Sequence, residues 1–148
     1  MANRNTLIKD VLFFLKGQIS SNITDPISAL RGSSSKFVMT SYPEREVKYP
    51  LITVEVNNIE ESNAGMHSTF MDIGLTIEIR VWSKSVAQSD QITQQILDLL
   101  ADIKYVGTGS IANDFHDFNV GSAVRVDEPG EGGTKSRIIQ LSYQFFNL

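Results

Sequence analysis

Alternation is cleanest between Met71 and Val81, where Met71, Ile73, Leu75, Ile77, Ile79 and Val81 take every second position and Asp72, Thr76, Glu78 and Arg80 lie between them. Successive strand side chains point to opposite faces, so this period of two predicts a strand with one buried and one polar face. Trp82 ends the run. Ser85-Val86-Ala87-Gln88 then has the form of a capping box, in which Ser85 accepts from a first-turn amide and Gln88 reaches back. Beyond it Ile92, Ile96, Leu99, Leu100 and Ile103 recur at three- and four-residue spacing. That spacing predicts a helix over residues 85–103 whose single apolar stripe lies on the apolar face of the strand.

The same reading extends along the chain. Leu7, Ile8, Val11, Leu12, Leu15 and Ile19 trace a helical face, which predicts a first helix over residues 6–20 with Asn5 or Thr6 as N-cap and Asp10 near the positive end of the dipole. Phe13 and Phe14 broaden that stripe; a wide core face explains both, and contact with a neighbouring subunit is the second reading for Phe13. Residues 22–35, rich in Ser, Gly, Pro and Asp, predict a long loop that ends in the flexible run Arg31-Gly32-Ser33-Ser34-Ser35. A short strand is expected through Phe37, Val38 and Met39. Tyr42 and Tyr49, each before a proline, are expected to be extended. Ile52, Val54 and Val56 alternate with Thr53 and Glu55 to give a strand over residues 51–57, followed by a polar connection over residues 58–68.

After the second helix, Gly107-Thr108-Gly109-Ser110 supplies a stop and a turn. A less regular strand follows, with Phe118, Val120, Val124 and Val126 set against Asn119, Gly121, Ala123 and Arg125. Glu128-Pro129-Gly130-Glu131-Gly132-Gly133 reads as a hairpin loop. In the last strand Ile139, Leu141, Tyr143 and Phe145 alternate with Gln140, Ser142 and Gln144. The order predicts one α+β domain over residues 1–148: a mainly antiparallel sheet of four to five strands with the two helices packed on one face. The other face would carry Thr76, Glu78, Arg80, Gln140, Ser142 and Gln144, a wettable surface suited to a polar interface.

Composition changes this picture mainly by exclusion. With 148 residues, 41% hydrophobic and 20% charged, the chain can form one globular core. Thirteen Lys and Arg against 17 Asp and Glu give a net charge of −4, and the cations are scattered, so specific duplex binding is not expected. The absence of cysteine removes disulfides, thiol nucleophiles and thiolate metal sites. The apolar patch from Leu7 to Leu15 is interrupted by Lys9 and Asp10, which argues against a signal peptide or a membrane anchor.

No catalytic constellation emerges. His67 and His116 lack partners at metal-ligand spacing, and Asp114, His116 and Asp117 match no metal pattern, so no metal is expected. Glu60-Glu61 and the pair Glu44 and Glu46 read as solvated surface acids. Gly107-Thr108-Gly109 and Gly130-Glu131-Gly132-Gly133 lack the helix and lysine of a phosphate loop, so no cofactor is expected either. At a strand end next to a helix, Trp82 reads as a lid on the core, with an interface anchor as the alternative.

The N-terminal helix, Tyr49-Pro50-Leu51-Ile52-Thr53-Val54, and Ile77-Glu78-Ile79-Arg80-Val81-Trp82-Ser83 running into the second helix together form a recognisable order. With the terminal strand from Ile138 to Phe146, this order resembles the tail terminators, or tail-completion proteins, of long-tailed bacteriophages and related viruses. The resemblance covers most of the chain. It implies a non-enzymatic virion structural protein that assembles in the host cytoplasm as a ring, usually a homohexamer, on the last ring of the tail tube. Such a ring ends tail elongation and presents the surface that docks onto the head connector. The implied partners are further copies of the chain, the tail tube protein and the head-completion or connector protein. The resemblance further implies a ring that DNA can pass through without specific binding, and no membrane partner is expected. Rings close through two different complementary patches on each subunit. Glu44, Arg45 and Lys48 are the candidates for one set of contacts, and Glu78 and Arg80 for a second. A neck or tail-tube protein of the same fold is the near alternative; a small-ligand-binding or regulatory domain is the distant one.

Overall fold

The computed structural model describes residues 6–31, 36–41, 48–63, 71–106, 115–127 and 134–147. In chain order they form α1 (Leu7–Asn22), α2 (Ser28–Arg31), β1 (Val38–Met39), β2 (Leu51–Asn63), β3 (Met71–Ser83), α3 (Val86–Val106), β4 (Phe115–Asp127) and β5 (Lys135–Asn147). The fold is α+β. Five strands make one sheet in the order β1-β2-β3-β5-β4, with β1 parallel to β2 and the other three pairings antiparallel.

β3 occupies the centre because its apolar row is the longest. Ile73, Leu75, Ile77, Ile79 and Val81 are all buried. The register continues that row sideways: Val54, Ile79 and Ile139 stand in one line across three strands, and Val56, Ile77 and Leu141 in the next. α1 adds Leu7, Val11, Leu15 and Ile19 to the same cluster, and α3 adds Ile92, Ile96, Leu100 and Ile103. Both long helices therefore cover one face. Each fully buried Leu or Ile side chain contributes about 1.5–3 kcal/mol by leaving water, so this cluster is what holds the layers together.

Two strands depart from the simple alternation, for one physical reason. An extra residue in a strand reverses the face taken by every residue after it. In β2 the register shifts between Val56 and Asn58, so Ile59 returns to the core side opposite Leu75 and the strand runs on to Asn63, into what was expected to be a connection. In β4 the register shifts twice, between His116 and Asn119 and between Val120 and Ser122. Val120 and Ala123 consequently pack against the core, whereas Val124 turns to the opposite face and is 53% exposed. Val120 and Val124 do not share a face as simple alternation required.

The helix starts also differ in detail. Thr6 is the N-cap of α1, yet its side chain makes no capping bond and instead donates to Asp10 Oδ2 at 2.8 Å. At α3, Ser85 Oγ accepts from Gln88 N at 3.4 Å, as a capping box requires. Gln88 does not reach back to the Ser85 amide, because Ser83 Oγ already accepts from that N–H at 3.1 Å and donates to Gln88 Oε1 at 2.8 Å. Ser83 is fully buried at the end of β3. Ser83→Ala is therefore expected to lower unfolding free energy by about 1–2 kcal/mol, read as a reduced urea midpoint with unchanged slope.

The long loop expected over residues 22–35 contains structure. Ile23 N donates to Ile19 O at the end of α1, and α2 then delivers Arg31 into a buried position. Arg31, first residue of the run expected to be flexible, is instead held in place. Its burial follows from its partners: Nε and Nη2 donate to the two oxygens of Asp25 at 2.6 and 2.9 Å, Nη1 donates to Lys48 O at 2.9 Å and Nη2 to Pro50 O at 2.5 Å. The Tyr49-Pro50 peptide bond is cis.

Candidate interface on the polar sheet face

The sheet face turned away from α1 and α3 is built by the even positions of β3 and β5 together with Thr53 and Glu55 of β2. Arg80 lies on this face toward the end of β3. Its guanidinium carbon lies 4.0 Å from the ring centroid of Trp82, and Nε and Nη2 donate to Ser136 Oγ at 3.2 and 3.1 Å. Ser136 Oγ in turn donates to Val126 O at 2.5 Å. Trp82 Nε1 donates to Thr53 Oγ1 at 3.1 Å. A cation stacked on tryptophan and bonded at its edge has little rotamer freedom left, so the charge is presented in one fixed place.

Trp82 is therefore not a lid on the core. It shares the parity of Arg80 and Glu78 and lies half-buried on the polar face, bridging β3 to β2. Extending the alternation two residues past Arg80 is the sequence signal for this placement. Thr53, Ser136 and the Tyr49–Lys84 pair carried no such signal individually, since register brings them together. Lys84 Nζ lies 5.0 Å from the Tyr49 ring centroid and 3.5 Å from Thr134 Oγ1, which is itself 3.5 Å from the Tyr49 hydroxyl. This group forms the end of the face where β3 leaves the sheet.

Of the residues named from sequence, Glu78 and Arg80 are together: two positions apart on one face of β3, a separation of about 7 Å, with Glu78 Oε2 accepting from Asn57 Nδ2 at 2.8 Å. Lys48 belongs elsewhere. It precedes β2, its ammonium donates to Leu30 O, and its carbonyl accepts from Arg31. Glu44 and Arg45 lie outside the described residues, as do His67 and Asp114. Among the described residues no group of three His, Asp or Glu is placed to hold a metal ion, and no helix is long and apolar enough to cross a membrane. Glu78 and Arg80, an aromatic platform and hydroxyl groups on one sheet face can bind another polar protein surface.

No protein-family model matches the chain, and no curated protein matches it. Among solved structures it is similar to a chain described as "Virion of native gene transfer agent (GTA) particle", with 12% sequence identity, 90% of this chain and 95% of that chain covered, and a TM-score of 0.48. A likeness this loose carries no weight for function.

Proposed function

We propose that the protein is a non-enzymatic virion structural protein that closes into a homo-oligomeric ring, six-membered by the resemblance, at the end of a tail tube. In that place it ends tail elongation and offers a docking surface to the head connector. The observation that carries this reading is the polar sheet face left uncovered by both long helices, with Arg80 immobilised between Trp82 and Ser136. These contacts also steady the fold, but an arginine already held in place loses less entropy on association and lends an interface specificity. The resemblance in element order supplies the identity of the assembly.

Native mass spectrometry with negative-stain imaging tests the reading. The expected species is a ring near 99 kDa, six chains of 16.5 kDa each, formed alone or on purified tails. Glu78→Lys combined with Arg80→Glu is expected to lower ring occupancy by at least about tenfold, equivalent to about 1.4 kcal/mol, with the monomer still folded by circular dichroism. Long cylinders would instead indicate a tail-tube protein. A monomer that also fails to bind tails would overturn the proposal.

A further inference from the structure

β2 has 13 residues, but its neighbour β1 has only two, paired with Ile52 and Thr53. From Val54 to Asn63 the outer edge of β2 has no partner strand among the described residues. Directly beside that edge lies a groove of about 680 Å³, bounded by Ile59 and Glu61 of β2, by Thr40, and by the side of α1. The α1 wall is apolar where a solvent-facing helix should be polar: Ile8 is 47% and Phe13 72% exposed, with Leu12 half-buried between them. Phe14 packs against the core, so the wide core face accounts for Phe14 and leaves Phe13 unexplained. Lys9 and Lys16 also line the groove, one helical stripe about 10 Å apart.

We propose that this groove accepts an extended segment of a partner protein, added to the sheet as a strand alongside β2 in the row that, among the described residues, β1 leaves vacant. Backbone groups of β2 supply the hydrogen bonds, and the α1 wall selects side chains at alternate positions. The chemistry on each side of the sheet defines the segment. Toward α1 it meets Ile8, Leu12 and Phe13 with two lysines against one glutamate, which favours apolar residues and a carboxylate. Toward the polar face it stands beside Glu55 and Glu60, both exposed, which favours lysine or arginine in cross-strand positions. The other sheet edge of a second copy is a poor occupant, because β4 is broken by two register shifts, a device by which sheets avoid edge pairing. This docking site runs along the β2 edge of the sheet and borders the Arg80 face only at Glu55 and Glu60, and its geometry does not rest on ring formation.

The test uses a fluorescein-labelled peptide with valine and one glutamate on one face and lysine on the other, beside a scrambled peptide of identical composition. Fluorescence anisotropy should show saturable binding of the patterned peptide, with a Kd on the order of 10–100 µM, and at least about tenfold weaker binding of the scrambled one. Phe13→Asp, at an exposed position, should weaken the patterned peptide by at least about tenfold while leaving the circular dichroism unchanged. Lys9→Glu with Lys16→Glu should act in the same direction. Equal binding of both peptides, or no effect of Phe13→Asp, would overturn the proposal. So would a protein whose self-association is abolished by Phe13→Asp and which takes up no peptide, since the groove would then belong to a second copy.

Discussion

Arg31→Met is expected to lower the free energy of unfolding by about 3 kcal/mol, read from urea denaturation at neutral pH. Arg31 is only 5% exposed, and its guanidinium satisfies both oxygens of Asp25 and the carbonyls of Lys48 and Pro50. Methionine fills part of the space but donates nothing, so a carboxylate and two carbonyls lose their donors together. The figure is at the low end for a broken buried pair because Asp25 remains 15% exposed and water can reach it. Adding Asp25→Asn to the variant should recover part of the loss, since the orphaned charge is then removed.

The same pair sets a pH dependence. Burial pushes the Asp25 carboxyl up, but hydrogen bonds from Arg31 and from the Ile27 amide, with the guanidinium charge, outweigh it and hold the group below its ordinary value of 3.8. A depressed folded-state value means that the stabilisation is present above the unfolded value and is lost as the pH falls from there through the folded one. Urea midpoints should therefore fall more steeply below pH ~4 for the natural protein than for Arg31→Met. Parallel curves for the two would show that the pair contributes nothing to acid sensitivity.

Ile77→Ala is expected to cost about 3–4 kcal/mol. Ile77 is fully buried in the central strand, between Val56 and Leu141 on the flanking strands and beneath the helix layer. A site enclosed by sheet neighbours on both sides cannot collapse far around a lost side chain, which keeps the loss clear of the low end of the range for Ile-to-Ala changes. Ile77→Val, which removes one methylene, should cost about 1 kcal/mol. The comparison separates cavity formation from any change in strand propensity, because valine suits a strand at least as well as isoleucine.

Much of the architecture was legible because periodicity and packing agreed. The even-odd pattern of β3 and the stripe of α3 were enough to place a helix on an apolar sheet face, and the polar residues named for the other face are there. Failures occurred where an inserted residue reversed the pattern. Asn57-Asn58 looked like the end of a strand and is a bulge within β2; Val120 and Val124 looked like one face and are on two. A bulge leaves no composition signal, since its cause is the register of a distant strand. Arg31 was illegible for a related reason: its partners are six, 17 and 19 residues away, and nothing local distinguishes it from a loop cation. Glu78 and Arg80 were readable as polar-face residues, but the contact that fixes Arg80 needed Ser136, 56 residues on. The edge groove beside α1 could be anticipated only through Phe13, the aromatic that its helix had no core position to spend.

Strand order has a consequence for biosynthesis. β5 lies between β3 and β4, although both precede it in the chain, and its pairs with β3 run from Ser83 with Lys135 to Met71 with Asn147. A ribosome making this chain releases an interior strand of the sheet after both of its neighbours. Until residues 135–147 emerge, β3 has one long edge open and β4 has no place to attach. Closing the sheet then requires contacts between residues far apart in sequence, which slows folding and lengthens the time for which an unpaired edge is available to other chains. Elongation that stalls between β4 and β5 would therefore leave the nascent protein at its most adhesive.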